Sequence, residues 1–171
     1  MNVEIIEKIH QHIKIIKQHR QTADMYVARM EQAFEKINHK IPLTIDIFYS
    51  LTIEEIGLFD AISMRFTKLQ DLIGGRIFPL ILEIIEEDTP KQTYLDRLNK
   101  LEQLHFLDNA YTWRTWRDLR NDLTHNYATN DATKLVDDIN AIMQASRDLL
   151  EYWKSLREKI IELEKKDALI P

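Results

Sequence analysis

The chain contains no cysteine and very little glycine or proline. The absence of cysteine excludes disulfides, thiolate catalysis and cysteine-based zinc sites, and it agrees with a reducing cytoplasm. Three Gly and four Pro among 171 residues leave few positions that would break a helix. Since Leu, Ile, Glu and Lys are abundant, the composition predicts an all-α protein.

Long apolar runs and a signal-peptide pattern are missing as well. The first residues, Met1-Asn2-Val3-Glu4, are charged and lack an apolar block. No run approaches the roughly 18 apolar residues that a membrane-spanning helix needs. We therefore expect a cytoplasmic protein with no membrane segment. The net charge of −5 argues against non-specific coating of nucleic acid, although it allows a local basic cleft.

Apolar residues recur at spacings of three and four along the first segment, residues 3–38, which predicts one long helix with a coiled-coil-like seam. Arg20 lies on that seam, where it either extends to solvent along its aliphatic stem or meets a buried acid. Pro42 ends the helix. The other seam residues are Ile6, Ile9, Ile13, Ile16, Ala23, Val27, Met30, Phe34 and Ile37.

Further helices are predicted after a linker. Thr52 and Glu55 form a capping-box pattern, and the helix they open runs to about Ile73, where Gly74-Gly75 breaks or kinks it. The later segments are 77–85, 93–106 with Thr93 as its cap, a motif helix from Asp108-Asn109, and 131–164. Their apolar stripes include Ile56, Phe59, Ile62, Phe66, Leu69, Leu98, Leu101, Trp113, Trp116, Leu119, Leu135, Ile139, Ile142, Leu149 and Trp153.

These segments predict the architecture of the whole chain. Residues 1–171 are expected to form one domain, because 171 residues with 44% hydrophobic side chains can bury a substantial core. The simplest packing is an antiparallel bundle of four long helices plus one or two short ones.

One polar stretch, residues 120–127, combines a guanidinium, an imidazole and a phenol in Arg120, His125 and Tyr127. An arginine can neutralise phosphate charge, and a histidine can move protons near neutral pH. Cleavage of RNA requires both stabilisation of the phosphate charge and transfer of protons. By spacing alone, however, an Arg and a His five residues apart are more often surface residues or local salt-bridge partners, and Tyr127 is more often a packing residue.

A basic stripe leads into this stretch. Arg114, Arg117 and Arg120 recur at every third residue, and either of the first two could contact phosphate instead of Arg120. Trp113 and Trp116 lie beside the stripe, and they are more typical of a core or an interface than of base-stacking platforms.

The spacing of Arg120 and His125 poses a geometric problem. On a continuous helix they would point about 140° apart, so that they would not converge on one phosphate. Two arrangements solve this problem: the helix ends near Thr124 and frees His125 and Tyr127 to turn, or two copies of the chain build the site across a symmetric dimer. Metal-free RNA cleavage needs one group to take a proton and another to donate one, which favours the dimer because it supplies a second His125.

Several segments resemble the HEPN superfamily, specifically the HepT-like toxins encoded beside minimal nucleotidyltransferase (MNT) antitoxins. Residues 120–127 match the pattern R-x-x-x-x-H-x-Y. Residues 60–71 resemble the second-helix signature of the family, an Arg-Phe followed by Lys-Leu-Gln-Asp, and residues 96–102 resemble its next block. The likeness covers about residues 50 to 130, and the flanking helices agree in length and order.

The resemblance implies a helical domain that dimerises about the motif helix and cleaves RNA without metal or other cofactor. It implies Arg120 and His125 as catalytic residues, with Asn121 supporting the site. It further implies that an MNT partner transfers AMP to Tyr127 and so silences the nuclease. Added phosphate beside Arg120 would repel RNA. Arg65 is a further candidate for the RNA-binding cleft.

Two other classes of function stay open at this stage. A HEPN-like bundle can lose its nuclease activity and serve as an interaction or nucleotide-binding subunit for a nucleotidyltransferase, in which case His125 need not be reactive. A dimetal-carboxylate bundle would need Glu-x-x-His on two helices. Glu7-x-x-His10 and Glu102-x-x-His105 have that spacing, but they lie off the apolar stripes, and we expect no metal there.

Overall fold

The computed structural model describes residues 3–86, 92–125 and 131–167, with side chains for all of them except 123–125, 166 and 167. Within these residues the chain is helical, without a strand, which confirms the all-α class. The seven α-helices are α1 Val3–Ile37, α2 Ile45–Ser50, α3 Ile53–Leu72, α4 Phe78–Ile85, α5 Tyr94–Gln103, α6 Ala110–His125 and α7 Ala132–Asp167. A 3₁₀ turn, Asn38–Lys40, follows α1, and a π-helical turn, Ile73–Ile77, joins α3 to α4.

The four long helices α1, α3, α6 and α7 correspond to predicted segments, while α2 lies in the stretch predicted as a linker. Thr44 caps α2, since its side chain accepts a hydrogen bond from the backbone N–H of Ile47 at 3.3 Å. Gly74 and Gly75 interrupt the α-helical pattern as predicted, in the form of the π-helical turn. The acidic stretch Glu86-Glu87-Asp88-Thr89-Pro90, which the sequence predicts as a loop after α4, lies outside the described residues except for Glu86.

Local capping explains where several helices begin. At the start of α3, Thr52 N–H donates to Glu55 Oε2 at 2.8 Å, and Glu55 N–H donates to Thr52 Oγ1 at 3.2 Å. Thr93 and Asp96 form the same reciprocal pair at α5. Both predicted caps are therefore confirmed, and each satisfies backbone donors that the first turn of a helix leaves unpaired.

The chain divides into two compact units. Unit 1 comprises residues 1–24, 71–112 and 152–171, and unit 2 comprises residues 25–70 and 113–151. Within unit 1, α1 and α7 run antiparallel, since Arg20 pairs with Glu164 whereas Asp24 pairs with Arg157. Within unit 2, α1 and α3 run antiparallel, since Arg65 lies over Tyr26 whereas Lys40 pairs with Glu55.

Arg20 meets an acid, one of the two alternatives for this seam position. Its Nε lies 2.6 Å from Glu164 Oε1, and its Nη2 lies 3.0 Å from Glu164 Oε2. Asp24 Oδ2 accepts a third hydrogen bond at 3.3 Å. The pair with Glu164 raises the pKa of Arg20, so the guanidinium stays charged in this half-buried position.

Most of the predicted stripe residues are buried, among them Ile13, Ile16, Met30, Phe66 and Trp153. Ile56 is an exception: it was predicted to be core, yet 45% of its surface is exposed. It lies at a pocket in unit 2 rather than beneath another helix. No helix of the described residues combines the length and the apolar composition that crossing a membrane requires.

Candidate functional site

The described part of the motif, residues 120–125, lies on α6, and the buried face of this helix holds it in place. Trp113 is 1% exposed and Trp116 is 8% exposed, which agrees with core packing rather than base stacking. Their rings meet edge to face, with centroids 5.9 Å apart and an interplanar angle of 64°. At the other end of the helix, in unit 1, Glu102 Oε2 accepts a hydrogen bond from Ala110 N–H at 2.8 Å, and Asn109 Oδ1 accepts one from Thr112 N–H at 2.9 Å.

The basic stripe of α6 runs alongside this buried face. Trp113, Trp116 and Leu119 are spaced by three, and each is followed directly by an arginine, about 100° further around the helix. Arg114 and Arg117 are exposed, and Arg120 is half-buried. Each arginine lies about 60° around the helix from the one before, and we call this loose stripe, Arg114, Arg117 and Arg120, the cationic edge of α6.

Asn121 holds the guanidinium of Arg120. Asn121 Oδ1 accepts hydrogen bonds from Arg120 Nη2 at 3.0 Å and from Arg120 Nε at 3.3 Å. An amide oxygen that binds two nitrogens of a planar guanidinium restricts its rotation, and a guanidinium held in one orientation binds phosphate at a smaller entropic cost. Asn121, to which the resemblance assigns a supporting role, therefore contacts Arg120 directly.

His125 is the last residue of α6, and Tyr127 lies outside the described residues. The described part of α6 thus includes position 125, one residue beyond Thr124. Along a helix, positions 120 and 125 are separated by about 7.5 Å and about 140°. Within one chain, the backbone places the two motif positions on different sides of α6.

Arg65, the remaining candidate for RNA contact, has a partner on another helix. Its guanidinium carbon lies 5.6 Å from the centroid of the Tyr26 ring, so α3 and α1 are joined by a cation–π contact in unit 2. The side chain is half-buried. Its described contact is therefore structural, with the face of the Tyr26 ring as the partner.

Unit 2 contains a pocket of about 260 Å³ that the sequence does not predict, and we call it the unit 2 pocket. Twelve of the described residues line it, from α2, α3, α6, α7 and the α2–α3 connection, and eight of these are Phe, Leu or Ile. The other four are Ser63 and the carboxylates Asp60, Asp122 and Asp138. The three acids come from three helices, so no local spacing in the sequence could have grouped them.

The two Glu-x-x-His pairs show no sign of a shared metal site. Glu102 caps the first residue of α6 and is exposed, and Glu7 is exposed as well. His105 follows α5 with a φ of 60°, and its carbonyl oxygen accepts a hydrogen bond from Lys159 at 2.5 Å. Among the described side chains, no group of three or more His, Asp or Glu residues is arranged to hold a metal ion.

The motif helix thus carries the cationic edge, on which Asn121 contacts the Arg120 guanidinium. The same helix also lines the unit 2 pocket, which contains acidic residues. Compared with known proteins, the chain matches no family model, no curated protein and no solved structure.

Proposed function

We propose that this protein is a metal-independent endoribonuclease of the HEPN type, acting as a HepT-like toxin that an MNT nucleotidyltransferase neutralises. The observation that carries the proposal is the contact between Arg120 and Asn121 on α6, which orients a guanidinium beside the exposed Arg114 and Arg117. An oriented guanidinium on a cationic edge suits a polyanionic substrate whose reacting group is a phosphate.

The proposed reaction uses the 2′-hydroxyl of the RNA as its nucleophile. The 2′-oxygen loses a proton and bonds to the adjacent phosphorus, the bond from phosphorus to the 5′-oxygen breaks, and that oxygen takes up a proton. The products are a 2′,3′-cyclic phosphate and a 5′-hydroxyl. Arg120 stabilises the charge on the pentacoordinate phosphorus, and His125 transfers a proton.

A homodimer would complete this site. Because α6 places positions 120 and 125 on different sides of one helix, a two-fold axis beside α6 would bring Arg120 and His125 of two copies to one phosphate. It would also supply a second imidazole, so that one histidine removes a proton while the other donates one. A forced monomer that cleaves RNA as fast as the native protein would contradict this arrangement.

The proposed control of the toxin acts on Tyr127. Transfer of AMP to its hydroxyl by the MNT partner would place a phosphodiester two residues from His125 and add negative charge near Arg120. The added charge and bulk would oppose RNA binding. We place the protein and its partner in the cytoplasm, where the RNA substrate is found.

The test is induced expression of the wild type beside His125→Ala, with growth and total RNA followed together. A nuclease would arrest growth and yield RNA fragments ending in 2′,3′-cyclic phosphates, and His125→Ala would do neither. Arg120→Ala should behave like His125→Ala, whereas Arg29→Ala, which removes an exposed arginine of α1 outside the stripe, is the control and should remain toxic. If the wild type and His125→Ala are equally harmless, the nuclease proposal fails and an inactive subunit of a nucleotidyltransferase complex takes its place.

A further inference from the structure

The unit 2 pocket is bordered by apolar residues that the sequence marks for burial. Ile56, Leu119, Leu135 and Ile139 all belong to apolar stripes, yet Ile56 is 45% exposed and the other three are only half-buried. All four line the pocket. Transfer of such side chains out of water is favourable, at about 25 cal/mol per Å² of apolar surface. A ligand that covers these four side chains would remove their apolar surface from water, which favours binding of an apolar group.

The polar residues of the pocket carry charge of one sign. Asp60, Asp122 and Asp138 contribute three carboxylates, of which the first two are exposed and the third is half-buried. Among the described residues that line the pocket, none is Lys, Arg or His. Three like charges around a partly enclosed apolar space raise the local concentration of cations and disfavour anions.

The size of the pocket limits its occupant. Its volume of about 260 Å³ falls just below the roughly 300–1,000 Å³ that is usual for sites of drug-sized ligands. A compact molecule would fill it, with its apolar part against Phe59 and Ile142 and its charged end among the carboxylates. The same carboxylates would repel the phosphates of RNA, so the pocket is distinct from the cationic edge of α6.

From these observations we propose that the unit 2 pocket is a binding site for a small organic cation with an apolar body, such as an alkylammonium or an aromatic amine. The apolar lining supplies the affinity, and Asp60, Asp122 and Asp138 supply the selectivity for positive charge. The proposal is independent of the proposed nuclease activity, since binding of a small cation is measured directly and requires no cleavage of RNA.

The experiment compares three probes that share one six-carbon chain: hexylammonium, hexanol and hexanoate. Calorimetric titration of the full-length protein at pH 7 and low salt gives the affinity of each. Hexylammonium, which stays protonated because amines of this kind have a pKa near that of Lys, about 10.4, should bind most tightly. We expect it to bind on the order of tenfold more tightly than hexanol, because three carboxylates contribute together. Hexanoate should bind most weakly.

Matched variants locate the binding. Asp138→Asn should weaken hexylammonium binding by at least roughly twofold to fivefold, the range expected for loss of a solvent-exposed ion pair, because Asp138 is half-buried; hexanol binding should not change. Asp137→Asn removes the same charge from the neighbouring residue of α7, which does not line the pocket, and should change little. Leu135→Trp, which fills the space from a half-buried position, should weaken binding of all three probes.

Ionic strength provides a check that requires no mutation. At about 1 M salt, where charges are screened beyond about 3 Å, the preference for hexylammonium over hexanol should shrink toward unity. The proposal is overturned if none of the probes binds, if hexanol or hexanoate binds as tightly as hexylammonium, or if Asp137→Asn and Asp138→Asn have equal effects.

Discussion

Asn121 Oδ1 accepts two hydrogen bonds from the guanidinium of Arg120, at 3.0 Å from Nη2 and 3.3 Å from Nε, although the two residues are adjacent on α6. Consecutive helical side chains normally diverge by about 100°, so the long arginine side chain has to bend back to make this contact. Arg120 is thus held along the helix surface instead of extending into solvent as an untethered cation.

Removal of the Asn121 amide should loosen Arg120. Asn121→Ala should lower RNA cleavage by roughly tenfold, because a hydrogen bond to a charged group is lost. Asn121→Asp keeps an acceptor for the guanidinium but adds negative charge, so it should retain more kcat than Asn121→Ala while raising KM for RNA. The steady-state parameters of both variants on one RNA substrate test this prediction. If Asn121 had only a structural role, Asn121→Ala and Asn121→Asp would differ in stability, but kcat and KM would not change in opposite directions between them.

The ion pair between Arg20 and Glu164 should contribute measurably to stability. Its two side chains are only 12% and 15% exposed. Glu164→Ala leaves a half-buried guanidinium with Asp24 as its remaining acid, and we expect a loss of about 1–3 kcal/mol in the free energy of unfolding. Chemical denaturation measures this loss. Glu162→Ala is the control, since the pair of Glu162 with Lys165 is 67% and 66% exposed and should contribute little.

Tyr152 should make the protein sensitive to alkaline pH. Burial raises the pKa of Tyr152 well above its usual range, with a further contribution from the Asp108 carboxylate. The phenol donates a hydrogen bond to the carbonyl oxygen of Phe106 at 2.7 Å. The unfolded chain ionises this phenol near pH 10 while the folded chain keeps its proton, so its contribution to stability is intact below about pH 10 and decreases as the pH rises further.

The corresponding measurement is the free energy of unfolding between pH 8 and 11. Above about pH 10 it should fall more steeply for the wild type than for Tyr152→Phe, which has no proton to lose. Tyr49→Phe removes a phenol that is 73% exposed and should reproduce the slope of the wild type. Equal slopes for the wild type and Tyr152→Phe would contradict the prediction.

Anchoring of α6 should depend on Trp113. Trp113→Ala removes a side chain that is 1% exposed and should cost about 3–5 kcal/mol of stability, because the cavity it leaves can collapse only in part. Tyr111→Ala, two residues earlier on the same helix at 76% exposure, should change stability by less than about 0.5 kcal/mol. Thermal unfolding of both variants beside the wild type distinguishes the two effects.

Sequence alone determined the features of this protein that depend on neighbours within a few residues. The capping pairs at Thr52 and Thr93 join residues three apart, and the apolar stripes repeat every three or four residues. These patterns are local to one helix, so they can be predicted from the order of the residues without knowledge of how the helices pack. The break of the α-helix at Gly74-Gly75 is likewise predictable from the local sequence.

Tertiary structure decided the features in which distant helices meet. Arg20 and Glu164 are 144 residues apart, so the periodicity of α1 predicted that Arg20 needed an acid or solvent but did not identify the acid. Burial of Ile56 was predicted wrongly because periodicity shows which face of a helix is apolar, not whether another element covers it. The three carboxylates of the unit 2 pocket come together for the same reason: α3, α6 and α7 each present one acid, and only their packing makes one site of them.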